Sequence, residues 1–469
     1  MRKIILTALT CCAANIVFAQ QLNVIPQPVS VQWGKGVCTT TVVKRTIDSS
    51  MPNKDGYTIS ITKNGVTVKA QNEAGLQYAD ETLAQMKAQY GDRLPAATIV
   101  DYPHYEWRGL MLDCSRHFYT LEYLKKQIDM LAHYKMNHLH LHLTDDQGWR
   151  MEIKRYPELT QQGAWREFNQ QDSICLREYA DQPEYQLDSR FIIHHGGKTL
   201  YGGFYTQEQL RDLVKYAAER HVEIIPEVDM PGHTQAISAL YPQFTATGEA
   251  SWGTVFSVPL SPAKEEVYTF MQNILDEVMD IFPSHYIHIG ADEVEKDTWK
   301  KSDECRALME REGFTTYEAL QSYFVNRIHD YITSKGREMI CWDDALEGGD
   351  YKSNDGGVLN KSVDIMYWRY WVGGVPKKVT ELGHHIIFTP GAPMYIAHEG
   401  PVYDIYHFNA FKNVAPELKH LVRGGQVSLW AEGMSNSVLA DTRIYPRLVA
   451  LAERLWTPDE QRNWTSFKQ

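Results

Sequence analysis

LEYLKKQIDMLAHYKMNHLHLHLTDDQGWR, residues 121–150, joins a helical segment to a short β-rich run and then to a polar stretch. Residues 121–134 are typical of a helix, and residues 137–143 are typical of a strand. The same alternation of short strands and longer helices continues through the chain after Asp101-Tyr102-Pro103, for example at the helical segment 206–221. Strands that alternate with helices indicate a parallel α/β architecture.

Eight candidate strands can be counted in this part of the chain. They lie near residues 107–113, 137–143, 222–227, 285–290, 338–342, 363–368, 384–389 and 425–430. Eight strand–helix units predict a (β/α)8 TIM barrel, and such barrels carry their active site at the carboxyl ends of the strands. Residues 166–200 are polar and without a pattern, so we predict a long loop after the second strand.

The segment that precedes the barrel predicts a small α/β domain. In GYTISITKNGVTVKA (56–70), apolar and polar residues alternate on both sides of Asn64-Gly65, which predicts a hairpin with a type I′ turn. A helix is expected next, with an apolar stripe formed by Ala74, Tyr78, Leu83 and Met86. We therefore divide the chain into a small domain over 20–102 and a catalytic barrel over 103–469.

The first 19 residues have the features of a secretory signal peptide. Arg2 and Lys3 give a positive start, residues 4–18 are mostly apolar, and Ala19 ends a cleavage site of small residues. Cleavage near Ala19 predicts a secreted or periplasmic bacterial protein. The apolar run is too short for a membrane anchor, and no later stretch approaches the length of a membrane-spanning helix.

Charge and cysteine content argue against several other classes of protein. Loss of Arg2 and Lys3 with the signal peptide changes the net charge from −12 to −14, so nothing basic remains to bind nucleic acid or an anionic membrane. The cysteines of the mature chain are odd in number and lack CxxC spacing, which implies neither a disulfide framework nor a zinc site. They are Cys38, Cys114, Cys175, Cys305 and Cys341.

The carboxyl ends of the candidate strands carry carboxylates, arginines, histidines and tryptophans. The segments are RGLMLDCSRHF (108–118), LTDDQGWR (143–150), PEVDMPGH (226–233), HIGADEV (288–294), ICWDD (340–344), YWR (367–369) and GGQVSLWAE (424–432). One such residue is usually a surface charge or a core aromatic. So many at one rim of one barrel indicate a functional site.

LTDDQGWR, PEVDMPGH and HIGADEV together resemble family 20 of the glycoside hydrolases, the β-N-acetylhexosaminidases. The resemblance covers nearly the whole mature chain, including the small domain before the barrel. It implies an exo-acting, retaining enzyme that removes terminal β-linked N-acetylhexosamine from an oligosaccharide or glycoconjugate. It implies no cofactor and no metal ion.

The resemblance implies that Asp292 and Glu293 are the two catalytic residues. Glu293 would protonate the leaving oxygen and later activate water. Asp292 would orient the substrate acetamide, whose oxygen acts as the nucleophile and forms an oxazolinium ion. Family 20 is one of the exceptions to the rule that retaining glycosidases use two flanking carboxyl groups.

The resemblance also assigns the residues that bind the sugar. It implies an indole box around the acetamide methyl group, formed by Trp342, Trp368 and Trp430. It implies hydrogen bonds to the sugar and its acetamide from Tyr395, Arg108 and Glu432. It implies a polar shell that holds the acid/base in place, formed by Asp145 and His233.

One stretch departs from the family pattern. The family often has Tyr-x-Asp where this chain has Tyr395-Ile396-Ala397, followed by His398. A carboxylate at that position would repel a 6-O-sulfate, so its absence predicts tolerance of 6-O-sulfo-N-acetylglucosaminides. Two alternatives are that Glu399 or Asp404 restores the acid, or that the pocket is simply looser at the 6-position.

Two other functions remain open from the sequence. His138, His140 and His142 share one face of the second strand, which would suit a metal-dependent TIM-barrel hydrolase. An inactive sugar-binding homologue is the second alternative, although binding alone does not require Glu293. The preference for GlcNAc or GalNAc, the natural glycan, the oligomeric state and any extension of the natural chain past Gln469 are also left open.

Overall fold

The computed structural model describes residues 22–40, 42–252, 256–346, 358–398 and 400–468. The predicted signal peptide lies outside these residues. Among the helices of the described part, none is long and apolar enough to cross a membrane. The described cysteines Cys38, Cys114, Cys175, Cys305 and Cys341 are all buried and free.

The first described part of the chain forms a five-stranded sheet that one helix covers. Its elements are β1 (Ser30–Cys38), β2 (Val43–Ile47), β3 (Tyr57–Thr62), β4 (Gly65–Ala70), α1 (Glu73–Tyr90) and β5 (Leu94–Asp101). The strand order in the sheet is β1-β5-β3-β4-β2. The Asn72 side chain caps α1 by accepting a hydrogen bond from the Gly75 N–H. The helix buries Tyr78, Leu83 and Met86, as its apolar spacing predicted.

The β3–β4 hairpin forms, but its turn lies one residue earlier than predicted. Thr62 pairs with Gly65, so Lys63 and Asn64 form the turn, and neither has the positive φ of a type I′ turn. The pairing of Ile61 with Val66, both buried, explains this register, because a shift by one residue would expose them.

The next segment forms the first barrel unit, with β6 (Trp107–Asp113), α2 (Leu121–His133) and β7 (His138–His142). Thr120 caps α2 by accepting a hydrogen bond from the Tyr123 N–H. Every residue of β6 and β7 is buried, as expected for parallel strands that are covered by helices on one side and fill the barrel on the other.

The segment 166–200, predicted as a patternless loop, is largely ordered into secondary structure. It follows the short strands β8 (Thr144–Asp145) and β9 (Gly148–Trp149) and helix α3 (Glu158–Gln161). A three-stranded antiparallel sheet and a helix form there: β10 (Trp165–Glu167), α4 (Gln170–Tyr179), β11 (Ile192–His195) and β12 (Lys198–Gly202). The prediction was wrong because contacts between polar side chains, and not an apolar stripe, stabilise the secondary structure of this segment. Asn169 and Asp172 form a capping box, and Arg166 pairs with Asp172 at 2.8 Å.

The remaining strands complete the barrel. They are β13 (Glu223–Glu227), β14 (Tyr286–His288), β15 (Glu338–Trp342), β16 (Asp364–Tyr367), β17 (Ile386–Phe388) and β18 (Val422–Leu429). The helices between and after them are α5 (Gln207–Ala218), α6 (Gln235–Ser238), α7 (Glu265–Ile281), α8 (Asp297–Lys301), α9 (Asp303–Glu312), α10 (Tyr317–Ser334), α11 (Val375–Glu381), α12 (Gly391–Met394), α13 (Val402–Tyr406), α14 (Ser437–Ile444), α15 (Arg447–Trp456) and α16 (Trp464–Phe467).

The eight parallel strands β6, β7 and β13–β18 close into a barrel, because β18 pairs with β6. Each overlaps one of the eight predicted strands, so the predicted (β/α)8 barrel preceded by a small α/β domain is confirmed. The five-stranded sheet contacts the barrel at the amino-terminal ends of the strands. There Lys135 Nζ lies 3.0 Å from Asp101 Oδ2, and Trp456 Nε1 donates to Asp101 Oδ1 at 2.9 Å.

Candidate active site

The loop that follows β14 presents Asp292 and Glu293 through a tight left-handed turn. Gly290, Ala291 and Glu293 have φ values of 66°, 68° and 48°. A Cβ at Gly290 would lie 1.9 Å from Asp229 Oδ1, so only glycine fits at this position. Positive φ at two non-glycine residues stores backbone strain, which is found most often at functional sites.

A cavity of about 670 Å³ opens beside this loop at the carboxyl ends of the strands. Seven of the predicted site residues line it: His233, Asp292, Glu293, Trp368, Tyr395, Trp430 and Glu432. Sequence reasoning missed other lining residues, which include Arg116, Ile174, Glu178, Tyr185, Met434 and Arg443. Three of these belong to α4 and the segment after it. They were missed because the prediction considered only residues that follow the barrel strands, and this segment is an insertion between strands.

Aromatic rings form a continuous wall of the cavity. The rings of Trp368 and Tyr395 are parallel with centroids 5.9 Å apart, and Tyr395 lies 5.7 Å from Trp430. Trp342 is buried behind Trp430, with its ring centroid 5.9 Å away. Trp368 and Trp430 therefore flank Tyr395 at the cavity surface, which suits a small apolar group, and Trp342 packs against Trp430 without lining the cavity.

The two adjacent carboxylates have different surroundings. The Asp292 side chain is 10% exposed, whereas that of Glu293 is 30% exposed. Burial raises the pKa of Asp292 to about 7. The neighbouring carboxylates of Asp344 and Glu293 add to this rise, and His233 opposes it. Asp292 Oδ1 is buried and has no hydrogen-bond partner within the described part of the chain, so it is available to a ligand N–H.

His233 bridges the carboxylates on one side of the cavity. Its Nε2 lies 3.2 Å from Glu293 Oε2, and its Nδ1 lies 3.3 Å from Asp145 Oδ1 and 3.2 Å from Asp146 Oδ2. Burial alone would lower the pKa of His233, but the surrounding carboxylates raise it well above its usual range. Asp145 lies behind His233, where it was predicted to act as part of a polar shell.

The structure contradicts the predicted position of Arg108. Arg108 is the second residue of β6, at the amino-terminal end of the barrel, and it is fully buried. Its guanidinium donates to the backbone carbonyls of Lys135 and Tyr105, each at 2.8 Å, and to the Tyr78 hydroxyl at 3.2 Å. It therefore holds the small domain against the barrel and cannot contact a sugar in the cavity.

Arg116 is the arginine that reaches the cavity from the same segment. It follows β6, and its Nη2 lies 2.7 Å from Asp145 Oδ2, with Nη1 3.2 Å from Asp113 Oδ2. The guanidinium lies 5.0 Å from the Trp430 ring centroid. The signal was available in the sequence, because Arg108 is the second residue of the predicted strand 107–113 whereas Arg116 follows the carboxyl end of that strand.

The three histidines of β7 lie in the barrel interior. His138 stacks on Trp107 with ring centroids 3.9 Å apart, whereas His140 and His142 approach Glu227 at 3.0 and 2.6 Å. His140, Glu227 and His288 offer atoms within 4.8 Å of one another, a spacing that could hold a metal ion. Glu227 also accepts a hydrogen bond from Trp342 Nε1 at 2.8 Å, so its carboxylate is already engaged with protein donors.

The stretch after Tyr395 also reaches the cavity. Ala397 and His398 line it, and Arg443 of α14 lines it from another element. Asp404 is exposed on α13 and does not belong to the lining. Glu399 lies outside the described residues.

Paired carboxylates at the carboxyl end of a (β/α)8 barrel, beside an aromatic wall, are the arrangement of a glycoside hydrolase. Glycosyl hydrolase family 20, catalytic domain, matches residues 105–459 of this chain, and Glycosyl hydrolase family 20, domain 2, matches residues 34–102. The chain belongs to glycosyl hydrolase family 20, as the motifs predicted.

Curated relatives carry the same family signature. The chain is 34% identical over 452 residues to a β-hexosaminidase of Porphyromonas gingivalis, which covers 90% of this chain and 53% of that protein. It is 35% identical over 425 residues to a β-hexosaminidase of Vibrio furnissii, which covers 85% of this chain and 65% of that protein. The chain thus spans about half to two thirds of the length of these two relatives.

Solved structures of the family share the fold. The GH20 exo-β-N-acetylglucosaminidase from Vibrio harveyi, in complex with N-acetylglucosamine, matches with a TM-score of 0.80 at 27% identity, over 95% of this chain and 75% of that one. The β-N-acetylhexosaminidase from Bacteroides fragilis matches with a TM-score of 0.79 at 28% identity, over 95% of this chain and 93% of that one.

Proposed function

We propose that this protein is an exo-acting, retaining β-N-acetylhexosaminidase that removes terminal β-linked GlcNAc by substrate-assisted catalysis. One observation carries the proposal. The buried Asp292, whose Oδ1 has no partner among the described residues, lies next to Glu293 in a cavity walled by Trp368, Tyr395 and Trp430. An acetamide group needs these features: an acceptor for its N–H and an apolar surface for its methyl group.

In the first step, Glu293 donates its proton to the glycosidic oxygen as the bond from that oxygen to C1 breaks. The acetamide oxygen forms a bond to C1 on the opposite face, which gives an oxazolinium ion and the free leaving group. Asp292 accepts the acetamide N–H and balances the positive charge that develops on the ring. No carboxylate of the enzyme bonds to the sugar.

In the second step, Glu293 is a carboxylate and takes a proton from water. The water oxygen bonds to C1, the bond from C1 to the acetamide oxygen breaks, and the acetamide is restored. Two inversions at C1 leave the product with the β configuration of the substrate. Glu293 ends the cycle protonated, ready for the next substrate.

Replacement of Glu293 by Gln tests the acid assignment. General acid catalysis contributes about 10²–10⁴-fold, so Glu293→Gln should lose most of its activity on chitobiose. Its activity on a dinitrophenyl β-N-acetylglucosaminide should be partly spared, because that leaving group needs little protonation. Glu304→Gln, an exposed acid of α9, serves as the matched control with both activities intact. A near-normal rate of Glu293→Gln on chitobiose would contradict the assignment.

The same assay separates the alternatives. An inactive sugar-binding homologue would bind N-acetylglucosaminides without turnover. A metal-dependent hydrolase would lose activity after prolonged chelation and regain it with added metal. We expect turnover that chelation does not change, since the proposed steps use only protein and substrate groups. Aryl GlcNAc and GalNAc substrates, compared side by side, measure the preference between the two sugars.

We also propose that the enzyme accepts 6-O-sulfo-N-acetylglucosaminides. The cavity position that carries an acid in the usual family pattern is Ala397 in this chain. The Arg443 cation lines the same cavity, as do the His398 imidazole, which can donate a hydrogen bond, and Glu432. Loss of one like charge together with a nearby cation reduces the cost of placing a sulfate in a partly closed site.

Rates on sulfated and plain aryl glycosides test this second proposal. We expect a ratio of kcat/KM near or above one in the wild type, and a collapse of the ratio in Ala397→Asp. The matched control Ala397→Asn adds similar bulk without a charge and should retain the ratio. A wild-type ratio far below one would refute the proposal, and a ratio unchanged by Ala397→Asp would indicate a merely loose pocket.

We further propose the division of the chain into a signal peptide over 1–19, a small domain over 20–102 and a catalytic barrel over 103–469. Export with cleavage after Ala19 would give a secreted or periplasmic enzyme. Amino-terminal sequencing of the protein from the periplasm and medium of an expressing bacterium tests this. A mature chain that begins at Gln20 supports it, and a retained Met1 contradicts it.

A further inference from the structure

A row of alternating carboxylates and imidazoles runs from the barrel interior to Glu293. Glu227 Oε2 lies 2.6 Å from His142 Nδ1, and His142 Nε2 lies 2.7 Å from Asp145 Oδ2. Asp145 Oδ1 lies 3.3 Å from His233 Nδ1, and His233 Nε2 lies 3.2 Å from Glu293 Oε2. Five titratable groups on three strand ends are thus in direct contact, and the first four are fully or nearly fully buried.

The protonation of this row follows from its geometry. Both ring nitrogens of His142 face carboxylates, so both carry protons and the ring is an imidazolium. Burial by itself would lower the pKa of His142, but Glu227 and Asp145 raise it well above its usual range. Burial likewise disfavours the charged form of Glu227, and the imidazoles around it hold the pKa of its carboxyl well below the usual range. Charges therefore alternate along the four buried groups from Glu227 to His233.

We propose that His142 and Glu227 are positioning residues for the acid/base Glu293, acting through Asp145 and His233. This inference rests on the function proposed above. Asp145 Oδ2 contacts His142 and Arg116 Nη2, at 2.7 Å each, and Oδ1 contacts His233 and accepts from the Asp146 N–H at 2.6 Å, so both oxygens of the carboxylate are held. His233 itself has a φ of 50°, a left-handed backbone conformation that is uncommon outside glycine and is often found at functional sites.

The row is suited to an acid that changes its charge twice in each cycle. Glu293 is neutral before the first step and anionic before the second. A fixed imidazolium at His233 stabilises the anion without moving, and a buried row that is fully paired keeps that cation in place. Asp146 Oδ2 also contacts His233 Nδ1, at 3.2 Å, and gives the ring a second support.

Glu227 joins both halves of the site. Its Oε2 contacts His142 in the row to Glu293, and its Oε1 accepts a hydrogen bond from Trp342 Nε1 at 2.8 Å. Trp342 supports Trp430 in the aromatic wall. His288 Nδ1 lies 3.1 Å from the same Oε1, and His140 Nε2 lies 3.0 Å from Oε2. The buried Glu227 carboxylate thus helps to orient both the row that ends at Glu293 and the tryptophans of the aromatic wall.

His138 provides a matched control. It lies on the same strand as His142 and is also buried, and its ring stacks on Trp107 with centroids 3.9 Å apart. Its ion-pair partner is Glu223, whose Oε2 lies 3.5 Å from His138 Nε2, and neither Glu227 nor Asp145. Both histidines are buried in the barrel interior, but only His142 belongs to the row.

The test compares His142→Gln with His138→Gln on chitobiose and on the dinitrophenyl glycoside. If His142 positions the acid, His142→Gln should lose about 10-fold or more in kcat/KM on chitobiose, which is part of the ~10²–10⁴-fold contribution of the acid, and much less on the dinitrophenyl substrate. His138→Gln should change kcat/KM on both substrates by the same small factor. Equal losses on both substrates for His142→Gln, or the same leaving-group dependence in His138→Gln, would overturn the inference.

Glu227→Gln keeps the inference testable if His142→Gln does not fold, because it preserves the shape of the side chain. It should show the same dependence on the leaving group, and unchanged selectivity between the two substrates would overturn the proposal. Glu293→Gln is measured in parallel. If Glu293→Gln shows no dependence on the leaving group, the proposed function itself fails. If Glu293→Gln depends on the leaving group but His142→Gln and Glu227→Gln do not, only the positioning role fails.

Discussion

Asp292 and Glu293 are adjacent in the chain, yet their surroundings give them different chemistry. Asp292 is buried against other carboxylates, whereas Glu293 is more exposed and touches the His233 imidazole. Two neighbouring carboxyl groups whose environments differ can serve as a charge-balancing base and a proton donor at the same pH. The turn with positive φ at Glu293 separates the two side chains in this way.

The pH dependence of kcat/KM tests the state of Asp292. A protonated Asp292 cannot balance the oxazolinium charge, so kcat/KM should fall as the pH falls through the Asp292 pKa of about 7. Asp344→Asn removes a negative charge that raises this pKa, so the acidic limb should move to lower pH. Asp404→Asn, an exposed acid that does not line the cavity, should leave the profile unchanged. An acidic limb that stays in place in Asp344→Asn would contradict this account.

At the residue scale, the sequence predicted the chemical groups better than their positions. Asp292, Glu293, Trp368 and Trp430 follow strand ends and line the cavity, whereas Trp342 is the last residue of β15 and is buried behind Trp430. Arg108 was misplaced because the choice followed a motif and not the direction of the strand. The paired environment of Asp145 could not be predicted, since it depends on Arg116 and His142, which belong to other strand ends.

Two neighbouring strand ends are tied together by an ion pair. Asp343 follows β15, and its Oδ2 accepts from Arg369 Nε at 2.8 Å, while its Oδ1 accepts from the Trp368 N–H at 2.8 Å. Asp343 is fully buried, and burial raises the pKa of its carboxyl to about 6 although Arg369 opposes the rise. The pair therefore sets the backbone that carries Trp368 into the aromatic wall.

Arg369→Met should destabilise the protein by about 3–5 kcal/mol, because it leaves the Asp343 charge buried without its partner. The loss should be larger above pH 6 than below it, since protonation of Asp343 relieves the unpaired charge. Thermal unfolding at several pH values measures this. The double variant Arg369→Met with Asp343→Asn should recover part of the stability, and a double variant as unstable as the single one would show that the ion pair is not the cause.

At the element scale, hydrophobic periodicity predicted all eight barrel strands, since buried parallel strands are continuous apolar runs. It failed for residues 166–200, where a capping box and the pair of Arg166 with Asp172 replace an apolar stripe. The failure affects function, because α4 of that segment contributes Ile174 and Glu178 to the cavity.

Across the whole molecule, the small domain and the cavity lie at opposite ends of the barrel. Arg108 and the pair of Lys135 with Asp101 fasten the five-stranded sheet to the amino-terminal end of the strands. The groups that we propose to be catalytic, Asp292 and Glu293, follow the carboxyl end of β14. Changes at the domain contact should therefore alter stability without altering the affinity for substrate.

Arg108→Met and Arg116→Met make a matched pair of variants for this separation. Arg108→Met should lower the free energy of unfolding by about 3 kcal/mol through lost charge-assisted hydrogen bonds, with KM unchanged for the folded enzyme. Arg116→Met should reduce kcat/KM, because Arg116 lines the cavity and pairs with Asp145. Steady-state kinetics and thermal unfolding of both variants measure these effects. A raised KM in Arg108→Met would support the predicted sugar-binding role of Arg108 and contradict the separation described here.

The most direct test of the central claim is the rate of hydrolysis of aryl glycosides whose N-acetyl group carries none, one or three fluorine atoms. Fluorine withdraws electrons from the acetamide oxygen and weakens it as a nucleophile, while the leaving group stays the same. If the acetamide oxygen attacks C1 with support from Asp292, kcat/KM should fall steeply with each added fluorine. Equal values across the series would show that an enzyme carboxylate is the nucleophile and would contradict substrate-assisted catalysis.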